Sequence, residues 1–184
     1  MNPGAKHFVL LDRDGTLNEE KEYLSDPAQL VLIAGAGQAL RRLQDAGLGI
    51  IVITNQSGIA REFFNMKDLD GVHARLNHML SAFGVRLDGI YHCPHSPDDG
   101  CDCRKPLPGL VYQAVNKHGF RPEEAWVIGD KESDVLVGDA VNARTILVRT
   151  GYGKAFETST RADFVVNDLA EAADVVLRFY QPNN

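Results

Sequence analysis

Residues 8–16 read FVLLDRDGT: four apolar side chains in a row, then Asp12, Arg13, Asp14 and a Gly-Thr pair. An apolar run this short, with no polar residue at alternate positions, reads as a strand covered on both faces. Two further runs end in the same manner. GIIVIT at 49–54 runs into Asn55, and AWVI at 125–128 runs into Gly129 and Asp130. Helical patterns lie between them. Residues 36–46 carry Ala39, Leu40 and Leu43 on one face and stop at Gly47. Residues 68–83 carry Leu69, Val72, Leu76, Met79 and Leu80, then Gly84, and residues 108–118 open on Pro108 and stop at Gly119. A helix is predicted over 134–143, with short strands at 89–92, 145–148 and 163–166. Asn167 or Asp168 then caps a closing helix with Leu169, Ala173, Val176, Leu177 and Tyr180 on one face. Strands that alternate with helices and are apolar throughout predict an α/β fold, a doubly wound parallel sheet with helices on both faces.

The chain has 184 residues, the length of one domain over 1–184, and no fixed-period repeat or low-complexity linker divides it. Apolar residues make up 44% and charged residues 24%, which excludes disorder as the main state. No apolar run approaches the roughly 18 residues that span a bilayer. The opening MNPGAKHFVLLDRDG lacks the pattern of a secretory signal, so the cytoplasm is the expected compartment and no membrane partner is expected. A net charge of -6 argues against nucleic acid as a partner, because phosphate neutralisation needs a basic face. A monomer is the expected state, and the tails at 1–6 and 181–184 are expected to fray.

In an open α/β sheet, ligands bind beyond the carboxyl ends of the strands, so the residues just past each strand carry the chemistry. They are Asp12-Arg13-Asp14-Gly15-Thr16, then Thr54 with Asn55, then Gly129-Asp130 with Asp134 four residues on; Arg104-Lys105-Pro106 directly precedes a helix. Two acids at i and i+2 can meet one cation from a side chain and a backbone carbonyl, and a third acid from another strand completes a hard oxygen site that suits Mg²⁺. An ionised carboxylate there can attack phosphorus, and a second carboxyl can protonate the leaving alkoxide. Thr54 and Lys105 can hold the remaining phosphoryl oxygens. Taken singly, each of these aspartates could be an ordinary turn former. Four such elements in this order on successive βα units are not explained that way.

These elements resemble the four motifs of the haloacid-dehalogenase superfamily of phosphotransferases, over Phe8 to about Val148. The strings FVLLDRDGTLN, VITNQSGIAR, YHCPH, CDCRKPLPG and VIGDKESD resemble more narrowly its heptose-bisphosphate phosphatase branch. The resemblance implies a Rossmann-like core and a small sugar bisphosphate as substrate, on the route to the heptose of lipopolysaccharide. It implies Asp12 as nucleophile and Asp14 as general acid/base. It implies a Mg²⁺ site of Asp12, Asp14 and Asp130, with Asp14 contributing its backbone carbonyl. Substrate contacts would fall at Glu20, Lys21, Glu22, Tyr23, Thr54, Asn55, Gln56, Ser57, Arg104, Lys105 and Lys131. The plainer alternatives are that 20–22 is a solvated charge run and 55–57 a turn. Arg104 beside Lys105 suits a doubly phosphorylated ligand. Asp134 is expected to orient Lys105 or the metal shell, with a helix N-cap as its alternative. The spans between Asp14 and Thr54 and between Thr54 and Lys105 leave little room for a separate cap domain, so an open site bounded by short loops is expected.

All three cysteines fall between 93 and 103, in the string Cys93-Pro94-His95…Cys101-Asp102-Cys103. Three thiols and an imidazole form a closed ligand set for a structural Zn²⁺, chemically distinct from the carboxylate site. A disulfide is the alternative, and His92 is a competing imidazole. His95 is favoured because Cys-x-His and Cys-x-Cys make two matching arms. Zinc there would staple a polar loop and fix the adjacent Arg104 and Lys105. The rival readings are a histidinol-phosphate phosphatase, a non-catalytic phosphate-ligand sensor on the same fold, and a zinc-loop protein that binds partners. The last leaves the carboxylates unexplained.

Overall fold

The computed structural model describes residues 6–180. Six strands form one parallel sheet in the order β3-β2-β1-β4-β5-β6: β1 (Phe8–Leu11), β2 (Gly49–Asn55), β3 (Gly89–Cys93), β4 (Trp126–Gly129), β5 (Arg144–Val148) and β6 (Phe164–Val166). Five α-helices connect and cover them: α1 (Ala36–Asp45), α2 (Met66–Ser81), α3 (Gly109–His118), α4 (Glu132–Ala140) and α5 (Leu169–Phe179). This is the doubly wound fold expected from the sequence. Alternation along β1 shows why its strand is apolar throughout. Val9 and Leu11 pack with α1, α2 and α5 on one face, whereas Phe8 and Leu10 pack with α3 and α4 on the other. Each strand residue therefore meets a core whichever way it points.

Two helices start earlier than the periodicity predicts, because side chains cap them there. α2 begins at Met66, two residues early, because Asn65 Oδ1 accepts from the backbone of Lys67 and Asp68 while Asp68 accepts from the Asn65 N–H. α4 runs from Glu132 to Ala140 instead of 134–143, since Asp134 reaches back one turn to the Lys131 N–H at 3.0 Å. Asp168, not Asn167, caps α5. The expected fraying of the tails lies mostly outside the described residues; Lys6, which is described, pairs with Asp88 at 2.7 Å.

The sheet order reverses between β1 and β4. Successive strands grow outward from β1 to β2 and β3, then restart on the other side with β4. Asp12 follows β1 directly and its N–H bonds to the Ile128 carbonyl of β4 at 2.9 Å, which ties the two strand ends together. The crevice at such a reversal is where an open α/β sheet binds ligands.

Candidate active site

Asp12, Asp130 and Asp134 gather at this crevice, with one oxygen of each lying within 4.8 Å of the others. Three strand-end or helix-start carboxylates are thus brought together by the register of β1 against β4 and by the first turn of α4. Lys105 is the cation among them. Its ammonium is buried and lies 2.9 Å from Asp12 Oδ1, 2.6 Å from Asp134 Oδ1 and 2.8 Å from the Ile53 carbonyl. Burial alone would pull its proton affinity down; Asp12 and Asp134 outweigh that, and the net shift is upward. Lys105 was expected to hold phosphoryl oxygens. Its ammonium also neutralises the two aspartates, and Lys105 lines the cleft where a phosphoryl group would lie. Asp134 orients Lys105, as expected, and also closes the capping box of α4.

One ammonium does not balance three carboxylates. Burial, together with Asp12, pushes the Asp130 carboxyl up to about 8. Burial likewise raises Asp134 to about 6, although Lys105 opposes the shift. Asp130 Oδ2 accepts from the Tyr152 N–H at 2.8 Å, while Oδ1 is buried without a hydrogen-bond partner. A side chain on Gly15 or Gly151 would collide with Asp130 Oδ2, and both glycines hold left-handed backbone, at φ 83° and 55°. Hard oxygen donors, an unpartnered carboxylate oxygen and an excess of negative charge fit a divalent cation.

Asp14 stands apart. Its carboxylate accepts from Arg13 Nη2 at 2.8 Å, Asn18 Nδ2 at 2.9 Å and Gln56 Nε2 at 2.9 Å. Burial would raise its pKa, but the Arg13 guanidinium and the two amides prevail and hold it below the ordinary carboxylate range. Its side chain is therefore not part of the carboxylate cluster, in keeping with the expectation that only its backbone carbonyl faces a metal. That carbonyl accepts no hydrogen bond among the described residues.

A cleft of about 390 Å³ opens above these groups. Every substrate contact expected from the sequence lines it, together with Asp12 and Asp14, and so do Leu24, Gly58, Ser133 and Tyr152, which sequence reasoning missed. Lining does not mean availability. Asn55 spends its amide on Lys105, donating to the Lys105 carbonyl and accepting from the Lys105 N–H, both at 3.0 Å. Gln56 Nε2 bridges Asp14 and the Thr54 hydroxyl oxygen, 2.8 Å away, so Gln56 sets both groups. Lys131 Nζ lies 2.9 Å from Glu20 and 4.8 Å above the Tyr152 ring. Arg104 donates to the His95 carbonyl at 3.2 Å. Arg13, Asn18 and Tyr152 lie outside the residues expected from the sequence, because their roles come through Asp14 and Asp130. For Tyr152 a signal existed, since the turn after β5 is one more strand end on the same rim.

The sulfur cluster sits beside this cleft. Cys93 Sγ is 3.6 Å from His95 Nδ1 and 3.7 Å from Cys101 Sγ, and His95 Nδ1 is 3.3 Å from Cys103 Sγ. A Zn–S bond of about 2.3 Å implies a tetrahedral edge of roughly 3.8 Å between sulfurs, so the four atoms are spaced to hold Zn²⁺. The separation is far beyond a sulfur–sulfur bond of about 2.05 Å, and all three cysteines are free thiols, so the disulfide alternative is not adopted. His92 turns instead toward α2, with its ring 5.9 Å from that of His73.

Comparison with known proteins agrees with this geometry. The family model described as HAD-hydrolase-like matches residues 102–172. A carboxylate-lined switch point on this sheet, with no inserted cap domain among the described residues, places the protein among the HAD-like phosphatases. Relatives of similar length share most of the chain. The D-glycero-β-D-manno-heptose-1,7-bisphosphate 7-phosphatase of Haemophilus ducreyi is 38% identical over 94% of this chain and 99% of its own. Its namesake from Escherichia coli is 35% identical over 95% of each. The crystal structure of D,D-heptose 1,7-bisphosphate phosphatase from B. bronchiseptica, complexed with magnesium and phosphate, superposes with a TM-score of 0.89 at 31% identity, covering 95% of this chain and 99% of that one. The chain belongs to the family of D-glycero-β-D-manno-heptose-1,7-bisphosphate 7-phosphatases.

Proposed function

We propose that the protein removes the C7 phosphate of D-glycero-β-D-manno-heptose 1,7-bisphosphate by way of an aspartyl-phosphate on Asp12. The observation that carries the reading is the grouping of Asp12, Asp130 and Asp134 around buried Lys105, with Asp14 held separately by Arg13, Asn18 and Gln56. The names of the relatives support the substrate and its β anomer.

Asp12 lines the cleft with Oδ1 fixed by Lys105, which orients its carboxylate to attack the phosphorus. A bond forms from Asp12 oxygen to phosphorus as the bond from phosphorus to the C7 oxygen breaks. Asp14 delivers a proton to that leaving oxygen. In the free protein Asp14 is held ionised; the phosphoryl dianion arriving beside it raises its proton affinity, so Asp14 takes up a proton from solvent on binding and this is the proton it delivers. Asp14 then takes a proton from water as the water attacks phosphorus, which frees phosphate and restores the Asp12 carboxylate. The Thr54 hydroxyl, already accepting from Gln56, is free to donate to a phosphoryl oxygen. Asp12, Asp130 and the Asp14 carbonyl would hold Mg²⁺, which supplies charge neutralisation between two approaching anions. Cys93, His95, Cys101 and Cys103 would hold a structural Zn²⁺ with no open position for chemistry.

Arg104 and Lys131 on the cleft wall favour a second phosphate over the cationic tail of histidinol phosphate. Among the described residues no helix is long and apolar enough to cross a membrane. A cytoplasmic location, where thiols stay reduced and available to a metal, goes with this reading. Phosphate release from the β and α heptose bisphosphates, histidinol phosphate and fructose 1,6-bisphosphate tests the assignment. The β heptose bisphosphate should give the highest kcat/KM, and Asp12→Asn should retain less than about a hundredth of the rate with its fold intact. Equal or better turnover of histidinol phosphate would reverse the assignment.

A further inference from the structure

Two loops from distant parts of the chain meet at the mouth of the cleft through the rings of Tyr23 and Phe63. Their centroids lie 4.6 Å apart, with planes at 74°, an edge-to-face pair. The two loops differ in how they are held. Among the described residues, no backbone group between Glu20 and Ser25 is hydrogen-bonded to another segment. Side chains hold that loop at three points: Glu20 on Lys131, Leu24 buried in the core, and Tyr23 on Phe63.

The loop bearing Phe63 is rigid by comparison. Backbone bonds run from Ile59 to Gln56, from Arg61 to Ser57 and from Phe63 to Gly58, and Ala60 bonds to the Pro94 carbonyl of the cysteine loop. Tyr23 and Glu62, the residue before Phe63, both adopt left-handed backbone, at φ 55° and 58°. That conformation is costly for residues with a side chain and persists where the surroundings impose it. Phe64 is packed inward at 7% exposure, whereas Phe63 is 58% exposed and contributes little to the core. Tyr23 is on the cleft wall and Phe63 is not. Tyr23 is 40% exposed against 6% for Asp12, so Tyr23 borders the outer cleft and not its catalytic floor.

We propose that Phe63 is a positioning residue for substrate selection: its ring sets Tyr23, and through it the outer wall that meets the body of a sugar-sized substrate. The proposal rests on the sugar-bisphosphate reading of the site. It makes Phe63 irrelevant to a phosphoryl donor too small to reach Tyr23. The test compares wild type, Phe63→Ala and Phe63→Tyr on β-heptose bisphosphate and on acetyl phosphate. An edge-to-face contact of this kind corresponds to roughly a 2- to 12-fold change in binding. KM of Phe63→Ala for the heptose bisphosphate should rise within that range with kcat within about twofold, and kcat/KM for acetyl phosphate should not change. Phe63→Tyr, which keeps the ring, should restore KM. Equal losses on both substrates would mean that the ring merely supports the fold, and no loss on either would mean that Tyr23 is set by other contacts; each result overturns the proposal. Should wild type turn over histidinol phosphate or fructose 1,6-bisphosphate instead, the functional reading fails, and the same split measured on that substrate still decides the role of Phe63.

Discussion

Mg²⁺ should bind this protein in competition with a proton, and the size of the effect follows from Asp130. That carboxyl is buried, lies beside Asp12 and has a pKa of about 8 in the metal-free protein. An acid whose folded pKa exceeds its unfolded value of about 3.9 gives the folded protein the larger number of bound protons between those limits. The metal-free protein therefore loses stability as pH rises through that window, and a cation that replaces the proton recovers the loss. At pH 6 only about 1% of Asp130 is ionised and at pH 8 about half, so the apparent affinity for Mg²⁺ should rise about 50-fold, or ~2.3 kcal/mol. Titration calorimetry with MgCl₂ at pH 6, 7 and 8, at constant ionic strength and in buffers of different ionisation enthalpy, measures both affinity and proton release. Release should approach about one proton per Mg²⁺ at pH 6 and about half a proton at pH 8. Asp130→Asn should lose most of the binding and all of the pH slope. A flat affinity with no released proton would refute the premise that the three-carboxylate site holds a proton in place of its cation.

Two further outcomes follow from the site. Asp14→Asn should slow phosphorylation of Asp12 by the sugar phosphate by about 10²–10⁴-fold and phosphorylation by p-nitrophenyl phosphate far less, since nitrophenolate leaves without a proton; single-turnover rates measure this, and equal slowing would assign Asp14 to positioning instead. Protein purified without added zinc should contain about one Zn²⁺ per chain, and Cys101→Ser should lower the thermal midpoint and raise KM more than it lowers kcat, because the loop carries Arg104 and Lys105; metal analysis that finds no zinc and three reactive thiols would exclude the site.

What was legible in the sequence was whatever is encoded locally. The apolar run 8–11 ending in Asp12 reveals both a buried strand and the residue at its carboxyl end, because strand burial and strand-end side chains are adjacent in the chain. The cysteine string is likewise local, and its four ligand atoms do converge. Side-chain destinations were not legible. Arg13 sits between two aspartates and would pass for a surface charge, yet it is wholly buried and clamps Asp14. Lys105 reads as a phosphate ligand, and nothing near it in the sequence shows that its ion-pair partners Asp12 and Asp134 come from two other elements. Asn55 reads as a turn residue or a substrate contact, and its pairing with the backbone of Lys105, fifty positions along the chain, is not visible in the sequence. No periodicity encodes such pairings, since they depend on sheet order and not on neighbours in sequence.

The same long-range contacts order the rim of an open cleft over which, among the described residues, no domain closes. Each loop on the rim is anchored across the fold. The Lys105 segment is anchored by Asn55, the 20–24 loop by Lys131 and Phe63, and the 56–63 loop by Pro94 of the cysteine loop. Conformational order that a closing lid would supply at the moment of binding is present beforehand, so less entropy is lost when substrate arrives. The charges are arranged to the same end. Lys105 neutralises one of the three buried carboxylates, and a divalent cation would neutralise the other two. A phosphoryl dianion would then meet a floor of no net charge below, with Arg104 and the Glu20-paired Lys131 on the walls. Without the cation the floor repels the substrate, so metal binding and substrate binding must be coupled through charge.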